Sequence, residues 1–215
     1  MSVIPFSQAL RERTRSGHGA SEGADFMSDL MTGKGSRDDY VALVAQHFFI
    51  YRALEQAAER FAGDPVASRF ITPQLTRLAA IEADLAFLVG PAWRDQIAPL
   101  PTTEAYVARI EQVAAEGWAG GFVAHHYTRY LGDLSGGQAI RTLMQRQFGF
   151  ETNGVGFYFF DQIASPREFK DTYREQLDSA GWDADESERV IDEVMRAYAF
   201  NTDLFVDLAR AKAAA

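Results

Sequence analysis

Apolar residues recur every three to four positions along this chain and almost nowhere every second position. Phe6, Leu10, Thr14 and His18 follow one another at four-residue spacing, which predicts a first helix with His18 near its end. Ser36 and Asp39 form a capping-box pattern. Behind it Tyr40, Leu43, Val44, His47, Phe48, Tyr51 and Leu54 make one apolar stripe. Thr72-Pro73 reads as an N-cap followed by proline at the first helical position, with Leu75, Leu78, Leu85 and Leu88 beyond and Gly90-Pro91 as the stop. A shorter helix is expected from Thr103 to Ala115, carrying Tyr106, Ile110 and Val113. Ser165-Pro166-Arg167-Glu168 starts another, with Gly181 as its C-cap, and Asp185 to about Arg210 closes the chain as a long amphipathic helix. Phe157 to Phe160 is the one strand-like stretch, and Gly63 to Ile71 and Gly149 to Gly156 read as loops. The pattern predicts an all-α, single-domain helical bundle over residues 1–215, with about 1–5 and 211–215 frayed.

Composition narrows the function. A chain of 215 residues fits one domain. Lys and Arg number 21 against 30 Asp and Glu, a net charge of -9, which argues against a nucleic-acid partner. The absence of cysteine excludes disulfides, thiolate metal sites and a Cys nucleophile. No run of about 18 apolar residues is present, the first residues MSVIPFSQALRERTR lack a signal peptide's apolar core, and the final AKAAA is no anchor. The expectation is a soluble acidic protein of the cytoplasm with no membrane partner.

One segment breaks helical rules. Phe122 to Phe148 favours helix at both ends, with Gly149 as a C-cap, yet holds Gly132, Gly136 and Gly137 in its middle. Each costs about 1 kcal/mol against Ala in a helix interior. Gly132 and Gly136 share a face, which permits close helix packing or a backbone pressed against a flat ligand. LSGGQ, Leu134 to Gln138, matches the signature of ABC-type ATPases, but no phosphate loop precedes it: Gly33-Lys34-Gly35-Ser36 lacks the upstream Gly. Asp133 inside this break either pairs with Arg129 at i, i+4 or organises water beside a ligand.

The four histidines differ in context. His125 and His126 are adjacent and point about 100° apart on a helix, so they do not chelate one ion. His47, on the apolar stripe, reads as a satisfied core or boundary residue. His18 has Glu22 four residues on, placed to reach its far ring nitrogen, as a ligand imidazole requires; the alternative is a surface His beside an acid. Arg11 shares the His18 face, and Lys170 and Arg174 form an i, i+4 pair. Those cations either hold an anionic ligand or line a solvated face.

At this point the residues carry a resemblance. VAHHYTRY followed by YLGDLSGGQ (Tyr130 to Gln138) resembles the distal helix of the haem oxygenase family. His18 with Glu22 and then ADFMSDLM (Ala24 to Met31) resembles its proximal helix and exit. YRALEQ, FKDTYREQL and AYAFNTDLF follow in the expected order, so the likeness runs from about Phe6 to Leu208. It is similar to the soluble bacterial type. The resemblance implies a haem oxygenase-like bundle with haem b sandwiched between proximal and distal helices. It implies cleavage of haem at the α-meso carbon to biliverdin, carbon monoxide and ferrous iron, with O2 and electrons from a ferredoxin or an NAD(P)H-dependent flavin reductase. His18 would be the iron ligand, oriented by Glu22. Gly132 and Gly136 would lie against the distal haem face, and Asp133 would anchor a water network with Tyr51 and Arg129. Arg11, Lys170 and Arg174 would meet the propionates, with Tyr127 nearby.

Overall fold

Ten α-helices build the protein in a computed structural model that describes residues 4–214. They are α1 (Phe6–Arg13), α2 (Arg15–Glu22), α3 (Asp25–Met31), α4 (Arg37–Arg60), α5 (Leu78–Leu88), α6 (Pro101–Ala115), α7 (Ala119–His126), α8 (Gly137–Phe148), α9 (Pro166–Asp178) and α10 (Ala184–Ala214). No strand occurs among the described residues; the strand-like Phe157 to Phe160 region holds a 3-10 turn, Gly156–Tyr158.

α4 begins as its sequence predicts. The Ser36 hydroxyl accepts from the Asp39 N–H (3.0 Å), and the Asp39 carboxylate accepts from the Ser36 N–H (2.7 Å). Lys212, near the end of α10, donates to the same carboxylate (2.9 Å), so the cap also ties down the last turn. Residues 211–214 are therefore helical rather than frayed; residues 1–3 and 215 lie outside the described residues. The apolar stripe of α4 buries Tyr40, Leu43, Val44, Ile50, Tyr51 and Leu54 against α5 and α6. α10 packs across α2, α3, α6 and α7, and the helices share one apolar core.

Three expected helices are cut differently. The first breaks at Thr14, whose hydroxyl donates back to the Leu10 carbonyl (2.8 Å), the local competition that bends helices. α2 is thus a separate helix with His18 in its middle. After Thr72 only a 3-10 turn, Pro73–Leu75, forms. The longer helix starts at Leu78 because the Glu55 carboxylate of α4 accepts from the backbone N–H of Leu78 (2.9 Å) and of Arg77, capping α5 from outside. α9 ends at Asp178 with Ser179, not Gly181, as its C-cap; Gly181 instead turns the following connection with φ of 75°.

The loop before Tyr158 is held by one carboxylate. Buried Asp84 of α5 accepts from the N–H of Gly154 (2.8 Å), Gly156 (2.9 Å) and Phe157 (2.8 Å). Asp84→Ala leaves these donors short of partners in a dry environment. A loss of about 3 kcal/mol is expected in urea unfolding, since each orphaned donor costs about 1–3 kcal/mol; Asp84→Asn should lose less.

Candidate active site

The glycine-bearing segment is not a continuous helix. α7 widens into a π-helical turn, Tyr127–Leu131, a feature concentrated at functional sites. The chain then turns through Gly132 to Gly136, with the Leu134 N–H bonded to the Tyr130 carbonyl (3.0 Å) and the Ser135 N–H to the Gly132 carbonyl (3.1 Å), before α8 begins.

The three glycines have two different causes. A Cβ on Gly132 would meet nothing within 4 Å, and one on Gly136 only the Gly132 carbonyl at 3.8 Å. A Cβ on Gly137 would lie 2.8 Å from the Tyr158 ring. Close packing accounts for Gly137 alone. Gly132 and Gly136 face open space, a cavity of about 580 Å³, within the roughly 300–1,000 Å³ of ligand pockets.

α2 supplies His18 and Glu22 to the same cavity. The His18 imidazole is half-exposed, with Nδ1 3.4 Å from the Glu22 carboxylate and the ring edge-on to Tyr198. Arg11 of α1 and Lys170 and Arg174 of α9 also line the cavity, from two stretches far apart in sequence, so the cations converge rather than form separate solvated faces. Lys170 donates to the Ser135 hydroxyl (3.0 Å) and Arg174 pairs with Asp171 (2.6 Å). Tyr127 feels both Arg174 and Arg11, although burial outweighs them and raises its pKa. Met27, Leu43, Ile140 and Phe205 add apolar lining.

Asp133 is the buried acid of the site. Its partner is not Arg129. The Tyr51 hydroxyl, coming from α4, donates to the Asp133 carboxylate. Arg129 donates instead to the Asn201 side chain of α10 (2.8 Å) and stacks over the Tyr51 ring, 5.0 Å from its centroid. Burial pushes the Asp133 pKa up to about 6, against the pull of Arg129 and the Tyr51 hydrogen bond. Tyr51 itself is fully buried behind the cavity wall and meets the site through Asp133 and Arg129.

The remaining histidines divide. His125 lies 3.0 Å from the Glu193 carboxylate and His126 pairs with the Tyr173 hydroxyl (2.9 Å), so the adjacent pair serves two separate core contacts. His47 is a correction: it is buried but not satisfied. Its Nδ1 has no partner among the described residues, and its ring lines the cavity. Arg15, Tyr158 and Asn201 also line the cavity unpredicted. Asn201 did leave a signal, as the one amide in the buried α10 stripe Ala197, Leu204, Leu208.

These elements define a class: an all-helical protein with a cavity bounded by a histidine-bearing helix and a glycine break, with a cationic rim. A family model described as Heme oxygenase matches residues 4–207. Heme oxygenase 1 of Synechocystis is 37% identical over 208 residues, covering 97% of this chain and 86% of that one. Human heme oxygenase 1 is 38% identical over 205 residues, covering 94% and 71%. The solved structure of Synechocystis heme oxygenase-1 in complex with heme superposes with a TM-score of 0.90 at 34% identity, covering 98% and 96%. Heme oxygenase from Leptospira interrogans gives 0.89 at 30% identity, covering 94% and 98%. The chain belongs to the heme oxygenase family, whose reaction is the degradation of haem to biliverdin. No helix among the described residues is long and apolar enough to cross a membrane.

Two outcomes test this wall. Gly132→Ala should leave thermal stability unchanged or raised, because its methyl enters the cavity; Gly137→Ala should lose about 1–3 kcal/mol by pushing on the Tyr158 ring. The raised Asp133 pKa means the folded state binds a proton more tightly than the unfolded chain. Stability from this group is therefore fully present below about pH 4 and lost as pH rises through about 6. Asp133→Asn should be more stable than the parent above pH 6, by up to about 3 kcal/mol, and little different near pH 4; urea midpoints across that range measure it.

Proposed function

We propose that the chain, residues 1–215, acts as one haem oxygenase domain that cleaves haem b at the α-meso carbon in the reducing cytoplasm. The products are biliverdin, carbon monoxide and ferrous iron. The reading draws on O2 and on a ferredoxin or an NAD(P)H-dependent flavin reductase as electron donor. Bound haem would supply the iron that activates O2 and the porphyrin that is oxidised.

The residues present fit that substrate. His18 would hold the iron through its imidazole, a moderate donor compared with the thiolate that drives O–O cleavage, and Glu22, 3.4 Å from Nδ1, would orient the ring. Gly132 and Gly136 let the backbone approach the porphyrin face where any Cβ would occupy the cavity. Asp133, with a pKa near 6, holds or releases a proton close to neutral pH. Tyr51 fixes its carboxylate, and Arg129, anchored by Asn201, keeps a positive charge beside it. Arg11, Lys170 and Arg174, with Tyr127 among them, suit two carboxylates at one edge of a flat ligand and so set its in-plane rotation. A reductase would meet this same cationic rim, locally basic on an acidic protein.

The observation that carries the reading is that Gly132 and Gly136 open onto the cavity that His18 lines. Purified protein with hemin, reductant and air should lose its haem absorbance and yield the α isomer of biliverdin. Stable binding with no pigment would make it a haem carrier. His18→Ala should weaken hemin binding and change the ferric spectrum. Asp133→Ala should bind hemin normally but give at least about tenfold less biliverdin, the loss expected when a positioned proton donor is removed.

A further inference from the structure

His47 sits where an apolar stripe calls for Leu or Val, and Tyr158 lies in the run Phe157-Tyr158-Phe159-Phe160, where its hydroxyl is the one polar side-chain atom. Both side chains line the cavity and are at least nine-tenths buried. His47 Nδ1, the Tyr158 hydroxyl and Arg129 Nε are all buried without a protein partner. The three side chains and Asp133 line the same cavity. His47 precedes Tyr51 by one turn of α4, their ring centroids 6.0 Å apart, and Tyr51 donates to the Asp133 carboxylate. Phe157 packs against both rings, at 5.1 Å and 5.0 Å. Tyr158 reaches Asp133 by another route: the Cβ position of Gly137, 2.8 Å from the Tyr158 ring, is 3.6 Å from the Asp133 Cβ.

An imidazole always carries at least one donor, and a buried polar atom left alone is unfavourable. Waters at such sites typically make about three hydrogen bonds to otherwise unpaired groups. We propose that His47 and Tyr158 together hold ordered water at the wall of the cavity and act as positioning residues for the Asp133 carboxyl. The role at turnover rests on the haem-cleaving reading. Burial, and then the Arg129 charge, keep the His47 pKa well below the usual imidazole range, so the ring stays neutral with one donor and one acceptor. Burial likewise raises the Tyr158 pKa and keeps its hydroxyl protonated. Two neutral groups with fixed donors orient water toward a carboxyl without adding charge beside it.

Crystals of the ligand-free protein test the water site directly. Wild type should show water within about 2.7–3.2 Å of a His47 ring nitrogen, bridging to the Tyr158 hydroxyl or Arg129, and His47→Leu should lack it. With hemin, His47→Leu and Tyr158→Phe should lower the rate of biliverdin formation about fivefold while hemin Kd stays within about twofold, and His47→Gln should recover most of the rate. Tyr158→Phe removes only a hydroxyl, so it remains informative if His47→Leu fails to fold. A wild-type structure with no water at His47, or both variants turning over at the parent rate, overturns the proposal. Wild type that binds hemin without making pigment instead overturns the haem-cleaving reading, and the ligand-free crystals still decide the water site.

Discussion

The structure depends on keeping a helix broken. Between Tyr127 and Gly136 a π-helical turn and then a short turn interrupt the α-helix, and that break creates the side-chain-free wall of the cavity. What stabilises it is a chain of buried polar contacts running across three elements. Tyr51 of α4 holds Asp133, and Asn201 of α10 holds Arg129. The acid and the base are not paired with each other, so each remains available to the cavity. The same burial that makes the contacts strong lifts the Asp133 pKa to about 6. A carboxyl that titrates near neutral pH is useful beside a ligand and costs stability when ionised, so fold and function draw on one arrangement.

Charge works locally in the same way. The chain is acidic overall, yet Arg11, Arg15, Lys170 and Arg174 line one cavity from α1, α2 and α9. Net charge governs solubility and long-range encounter, whereas a clustered rim decides which ligand is held and in what orientation. The break at Thr14 matters here, because it makes the helix carrying His18 an element separate from α1.

Much of this was legible in the sequence. The capping box at Ser36, the proline start at Pro166, the Gly149 terminus and the stripe of α4 gave the bundle, because each is a local signal. Glycine spacing located the break but could not tell Gly137, pressed by Tyr158, from Gly132 and Gly136, which face the cavity. That distinction is set by a loop roughly twenty residues away, which tertiary packing alone brings near. The i, i+4 spacing of Arg129 and Asp133 pointed to a pair that does not form, because the π turn alters the register between them. Glu55 capping α5 and His47 left unsatisfied are likewise tertiary facts. The roles of His18 and Asp133 came from family resemblance, and the structure adds the shared cavity.

Crystals grown with hemin test the central claim most directly. Iron bound to the Nε2 of His18, with the opposite porphyrin face against the backbone of Gly132 and Gly136 and the propionates toward Arg11, Lys170 and Arg174, is the expected result. Hemin seated elsewhere, or iron held by a different residue with this cavity left free, would contradict it.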